Sequence, residues 1–380
     1  MTKKIGVQLS ELVILLGFIL TCFGMISIFA ASSLKATQLF KNEYYFLTKQ
    51  LSTSIFGFLL VGAILCSPIA IFEKTVLPSL MFVIILLLCI FLPGAYNKVG
   101  GASRWLNIPF IGGQPSELSK IVLVLFLSKN LSRPSHQINN FLSGIFPNIL
   151  VLSLLSGLLL VQKDLGTPVL LVMITGAMLL AAGVSLKHLG ILSTGLIFTI
   201  FLAVILEPYR IRRLLSYLDP WSESHGQGFQ IIQSFVAFSN GSLFGTGLGE
   251  SKQKLFFLPE AHTDFIVSVI AEETGLLGLF SLLGCYVALA LICFKIVEIQ
   301  KIKFRQYLAF GLTIMLNFQI IFNISVAMGL LPTKGMPLPF ISAGSSSLLV
   351  SLISIGILAK LARESGDQIH HRPGNQNPNA

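Results

Sequence analysis

The chain has 380 residues, 54% of them hydrophobic and only 11% charged, against about 25% charged in an ordinary soluble domain. That balance excludes a soluble globular enzyme and places the protein in a membrane. The net charge of +10 has no soluble basic domain to present it to nucleic acid, so it reads as membrane topology plus anionic ligands.

Residues 1–31 mimic a signal peptide, with Lys3 and Lys4, an apolar run, then Ala30-Ala31-Ser32. The run is long for a signal sequence and reads as an uncleaved first span. A span needs about 20 apolar residues, and about 17 is the lower bound. Charge-free windows at 12–34, 50–72, 75–97, 134–162, 165–186, 189–206, 275–294, 306–333 and 335–359 predict nine spans. A tenth, 117–133, has a short charge-free core between Lys120 and Lys129, and those lysines can snorkel. None of these runs shows the period-two alternation of a β-barrel. The fold class is therefore all-α and polytopic, with about ten transmembrane helices and one large extracytoplasmic loop at 207–263. That domain covers 1–363. The polar tail 364–380, rich in Pro and Asn, is expected to be disordered and cytoplasmic.

Ten spans put both termini on one side. With both inside, the inner loops and tails hold 13 Lys and Arg against seven in the short outer loops, the bias that favours this orientation. The cysteines Cys22, Cys66, Cys89, Cys285 and Cys293 lie in apolar spans without metal-site spacing. They read as small core residues. No clear internal repeat is present, which weakens a transporter built from two halves.

Polar groups near hydrocarbon mark candidate sites. Four of the 16 acidic residues fall in 257–275: Glu260, Asp264, Glu272 and Glu273, with His262 among them. Asp264 precedes the eighth span. A helix cap is one reading; a partly desolvated general base is the other. Glu272 and Glu273 lie further in and are expected to face a partner or a cavity. Arg104 follows Gly100 and Gly101 and precedes Trp105, which suits either an interfacial anchor or a ligand contact. In 114–120, Ser116 is a candidate cap, Glu117 suits the helix dipole, and Lys120 opposes it, which points to an anion partner. Lys163 and Asp164 read as a solvated turn pair. Arg210, Arg212 and Arg213 suit phosphates or lipid headgroups equally. The stretch 229–238 is apolar but too short to span, so it is expected to be re-entrant or interfacial. Gly245-Thr246-Gly247-Leu248-Gly249 lacks the lysine of a P-loop. The small polar residues 342–347 suggest a cavity-lining helix start or close helix packing.

The motifs GASRW (101–105), QPSELSK (114–120), DLGT (164–167), LDPW (218–221), GTGLGESKQKLFFLPEAHTDFI (245–266) and LPTKGMPLPF (331–340) resemble those of the SEDS family. Its members include FtsW, RodA and SpoVE. The LPTKG form and the QKL…PEAHTDF run look more like the division branch than the elongation branch. The resemblance implies ten transmembrane helices in the bacterial inner membrane. It also implies a peptidoglycan glycosyltransferase that polymerises lipid II, with its active site on the extracytoplasmic side. A class B penicillin-binding protein transpeptidase and other divisome proteins are the implied partners, and a divalent cation (Mg or Mn) the implied cofactor. Asp264 matches the family's essential aspartate, and Arg104 and Lys120 match functionally important basic positions. Three features depart from the family: Lys163 stands where proline is usual, Ala343 and Ser345 replace a tyrosine and a glycine, and Phe256 replaces an acid.

Together these readings give Asp264 as the catalytic base of an inverting displacement, where one carboxylate suffices. Arg104, Lys120, Arg210, Arg213, Glu260, His262 and Lys334 are the substrate-binding candidates, with cations facing the departing pyrophosphate. A lipid II flippase and a non-catalytic division scaffold are the rivals. Polar groups gathered at one membrane edge rather than at the midplane disfavour the first. An intact Asp264 disfavours the second.

Overall fold

A computed structural model describes residues 2–92, 96–99, 102–106, 113–134, 140–185, 188, 190, 205, 208–222, 226, 228–253, 258, 261–333 and 335–365. Six helices among these are long and apolar enough to cross a membrane. They are α1 (Thr2–Phe40), α2 (Tyr45–Cys66), Phe141–Val161, whose first turn is a π-helix and whose remainder is α6 (Phe146–Val161), α10 (Ile266–Glu298), α11 (Lys303–Ala327) and α12 (Ser345–Ser365). Shorter helices are α3 (Ala70–Lys74), α4 (Val76–Cys89), α5 (Pro115–Leu131), α7 (Gly166–Ala181), α8 (Pro208–Leu218) and α9 (Phe229–Gly241). The expected span at 189–206 falls almost wholly outside the described residues.

Several predicted boundaries shift, for local reasons. The window 335–359 carries no charge, yet its helix begins only at Ser345. Pro337 and Pro339 lack the amides a helix needs, and Gly335 and Gly344 add flexibility. The last helix runs on through Glu364, which meets Arg305 at 3.0 Å and Lys360 at 3.3 Å. The expected loop 94–116 contains a hairpin of β1 (Tyr96–Val99) and β2 (Ala102–Leu106), antiparallel, with Asn97 opposite Trp105 and a register shift after Asn97. The expected loop 207–263 contains α8 and α9, and the second realises the short apolar stretch read at 229–238.

Helix α12 is the axis of the bundle, with 83% of its apolar window buried. It packs against α1, α2, α5 and α11. Small residues permit the approach: a Cβ on Gly57 of α2 would stand 2.3 Å from Leu352, and one on Gly17 of α1 2.2 Å from Ile355. Hydroxyls in the spans bond to carbonyls one turn back, as Thr21 does to Gly17, Ser128 to Val124, and Ser354 to Val350. These hydroxyls are thereby satisfied within hydrocarbon. The outward faces carry Leu12, Leu15, Phe18, Ile55, Leu59, Phe280 and Leu291, as a lipid-facing surface should.

Helix α10 is broken at Gly275, whose φ of 66° and ψ of −167° lie in a region open essentially to glycine alone. The break strands two amides and two carbonyls. The segment after α9 takes up all four: Thr246 N donates to Glu272 O and Gly247 N to Glu273 O, while Leu276 N donates to Ser242 O and Leu277 N to Leu243 O. The Glu272 side chain, fully buried, accepts from Asn240 Nδ2, Ser251 Oγ, Lys252 N and Gln253 N. Glu272 therefore clamps this loop rather than facing a partner or cavity, and Glu273 is buried beside it.

Candidate functional site

Asp264 is the last residue but one before α10. The cap position falls on Phe265, so Asp264 is not the helix cap. Beneath it Ala261, Phe265 and Val269 join Ala31, Leu258 and Val326 in a small apolar cluster. That cluster seats the turn, and Asp264 itself is partly buried. On the other side lies the backbone of Gly335, where a built Cβ would come within 3.1 Å of Asp264 Oδ2. A side chain at 335 would press on the carboxylate, which explains a glycine there without appeal to backbone freedom.

The turn around Asp264 is stitched to residues 336–343. Ala343 N donates to His262 O at 2.9 Å. Ser342 Oγ donates to Thr263 O at 2.6 Å and accepts from Leu338 N at 2.8 Å. Asn323 Nδ2, from α11, donates to Asp264 O at 3.1 Å and to Met336 O at 2.7 Å. His262 is buried, its ring 4.9 Å from that of Phe46. Packed against that ring, it supports the turn that carries Asp264.

Lys120 is 2% exposed, so it does not snorkel. Its Nζ donates to Glu117 Oε2 at 2.6 Å and to Gln319 Oε1 at 2.9 Å. The anion partner expected for Lys120 is thus one turn away on its own helix. A buried pair of this kind survives because each charge is both paired and hydrogen-bonded. Gln319 Nε2 in turn donates to Pro337 O and Ser347 Oγ. Ser116, expected as a cap, lies inside the first turn of α5, since Gln114 takes the cap position and Pro115 follows it. Gln114 N donates to Ser346 Oγ.

Asp164 is buried rather than solvated, and it accepts from Gly166 N, Thr167 N and Thr167 Oγ1. It therefore fastens the start of α7. Gly166 faces Met336, at 3.4 Å from a built Cβ. Lys163 has a φ of 62°, a conformation that proline, fixed near −65°, cannot adopt. This turn has its own geometry, and the lysine fits it. Arg213 Nη1 donates to Thr333 O at 2.9 Å, which ties α8 to the same 331–343 segment. The side chains of Arg104, Arg210 and Arg212, and all of Glu260 and Lys334, lie outside the described residues; Phe256 lies there too.

Residues 331–347 are thus the hub on which Asp264, Lys120 and Arg213 converge, directly or through one side chain. Sequence reading missed Gln319, Asn323 and the clamp at Glu272. The first two are polar residues four apart in an apolar span, a spacing that places both on one helix face, and that was the available signal. Among the described residues, no three His, Cys, Asp or Glu side chains gather as a protein-built metal cage requires.

Apolar helices that wrap a half-buried carboxylate and a buried ion pair around one irregular segment define a multi-pass membrane protein with a polar site at its helix ends. Comparison with known proteins makes this specific. The FTSW_RODA_SPOVE family, described as cell cycle protein, matches residues 10–367, and the chain belongs to that family. A relative from Geobacter metallireducens is 40% identical over 351 residues, covering 92% of this chain and 93% of that protein. Another, from Geobacter sp. (strain M18), is 38% identical over 353 residues, covering 92% and 96%. Both carry the name probable peptidoglycan glycosyltransferase FtsW. A chain of a peptidoglycan synthase complex, described as coordinating polymerization and crosslinking, superposes with a TM-score of 0.76 at 26% identity, covering 93% of this chain and 97% of that one.

Proposed function

We propose that this chain polymerises lipid II into glycan strands during cell division, with Asp264 as the general base of an inverting transfer. The coarser statement is that the chain is a multi-pass bacterial membrane protein and a peptidoglycan glycosyltransferase of the FtsW kind. The observation that carries the finer one is the Asp264 carboxylate. It is half-buried against Gly335, and its turn is fastened to the hub that also receives Lys120 through Gln319.

In the proposed step an acceptor sugar hydroxyl attacks the donor's anomeric carbon. The new C–O bond forms as the bond to the lipid pyrophosphate breaks. The hydroxyl proton passes to Asp264, and the electron pair leaves with the pyrophosphate. Partial desolvation favours a carboxylate that takes up a proton. Basic groups facing the pyrophosphate offset its growing charge, and Arg104, Arg210 and Lys334 are assigned that role. Lys120 and Arg213 act from within the frame, since each is already committed to a protein acceptor. His262 supports the turn, and Glu260 is assigned to the substrate.

A divalent cation, Mg or Mn, would find Asp264 as a single carboxylate ligand beside substrate phosphates, the manner in which Mg is usually held. The described residues offer no dedicated cage, and no step above depends on a metal. We assign both termini to the cytoplasm and the site to the outer face of the inner membrane, on the distribution of Lys and Arg. The likeness to a chain from a complex that polymerises and crosslinks supports a class B penicillin-binding protein as partner.

The test is reconstitution with that transpeptidase and labelled lipid II, read as glycan polymer on a gel. Wild type should make polymer. Asp264→Asn should bind lipid II and make none. Polymer at the native rate from Asp264→Asn would refute the base assignment. Translocation without polymer would make the protein a flippase, and neither activity would leave a scaffold.

A further inference from the structure

The site contains two neutral amides that the proposed chemistry does not use. Gln319 and Asn323 are four residues apart on α11, so they share one face. Both are 2% exposed, deep in a helix whose neighbours are apolar. Between them they make five hydrogen bonds to four separate stretches of chain. Gln319 joins Lys120 Nζ on α5, Pro337 O on the hub and Ser347 Oγ on α12. Asn323 joins Met336 O on the hub and Asp264 O at the head of α10.

The chemistry of the amide group explains the choice. A carboxamide both donates and accepts. Gln319 can therefore accept a hydrogen bond from an ammonium and donate one to a carbonyl, which neither a carboxylate nor an ammonium can do. Asn323 offers two N–H groups to two carbonyl oxygens, where a carboxylate would be repelled by both. Neither side chain ionises, so the links hold across the pH range in which Asp264 must change protonation. A neutral group is also less costly to bury than a charge.

We propose that Gln319 and Asn323 are positioning residues that set the place of the Asp264 carboxylate relative to the Lys120–Glu117 pair; this rests on the polymerase reading above. The path is short and has no long flexible link: Asp264 backbone, Asn323, Met336 and Pro337, Gln319, Lys120. A displacement of about 1 Å in a reacting group can cost about 100-fold in rate. Cutting either amide should therefore act on the rate of the bound complex and leave the affinity for substrate in place.

The experiment measures polymerisation of labelled lipid II by the full chain with its transpeptidase partner, for wild type, Asn323→Leu, Gln319→Met and the double variant. Leucine and methionine keep the volume and remove the bonds. Each single variant is expected to lower kcat by about 100-fold with KM within about threefold. The double variant is expected to lose much less than the product of the two, because both cut one path. Monodisperse elution and retained partner binding establish folding. If wild type makes no polymer, the polymerase reading fails and takes this inference with it. If wild type is active and folded Asn323→Leu matches its kcat, the positioning role alone is overturned. A raised KM at native kcat overturns it as well, since that is the mark of a substrate contact. Should Asn323→Leu not fold, Asn323→Ser carries the test. Its hydroxyl can serve one carbonyl of the two, and an intermediate kcat is expected. If the serine variant is also unfolded, Asn323 is a folding element and the inference is wrong.

Discussion

Removing the cation from the buried pair on α5 gives the sharpest energetic test of this structure. Lys120→Met leaves Glu117, with its side chain 4% exposed, without its cation. The two charged atoms are 2.6 Å apart. At an effective dielectric constant near 20 their attraction is about 6 kcal/mol, most of it offset by the cost of burying both groups. Removing one partner exposes that cost, so Lys120→Met alone should lose about 3–5 kcal/mol. Glu117→Gln alone should lose a similar amount, since Lys120 is then left with neutral acceptors and no counter-charge. The double variant removes both charges together and should lose no more than about 1 kcal/mol. The coupling is therefore about 5 kcal/mol or more, and it is measurable by SDS titration in mixed micelles followed by circular dichroism. Additive losses, or single losses below about 1 kcal/mol, would refute the view that this pair is a closed electrostatic unit. They would return Lys120 to the pool of cations free to meet a substrate.

Other consequences can be checked with less labour. Gly275→Ala should cost at least about 3 kcal/mol from backbone strain, because the new Cβ would also stand 2.4 Å from Gly245 N; loss of the monodisperse detergent-solubilised protein would register it, and native stability would contradict the break in α10. Glu272→Ala should release residues 251–253 from their anchor. Trypsin should then cut after Lys252 in the folded protein much faster than in wild type, and an unchanged digestion rate would remove the clamp assignment.

The lipid-crossing part of the fold was legible because hydrocarbon rejects charge, and runs without charge can be read directly. Helix ends were less legible. A charge-free window does not distinguish helix from the proline-interrupted 335–344 segment, and the window 75–97 runs on past the end of α4 at Cys89. At the site, Asp264 stood out because a carboxylate beside an apolar run has few bland explanations. Glu272 stood out for the same reason but was misassigned. Its partners are two backbone amides, one hydroxyl and the Asn240 side-chain amide, 19 to 32 residues upstream, and no local pattern marks such long-range contacts. Gln319 and Asn323 carry no charge and so escaped a reading built on charge.

The broken helix α10 has a consequence for how the protein is assembled. Four backbone groups at the break are met by residues 242–247, which precede it in the chain. Left bare in hydrocarbon, each would cost several kcal/mol. Synthesis runs from the N-terminus, so the segment that mends the break is already made when the break emerges. Sequence order thus protects the most vulnerable point in the backbone. Once docked, residues 242–247 and the first turns of α10 form a single splice.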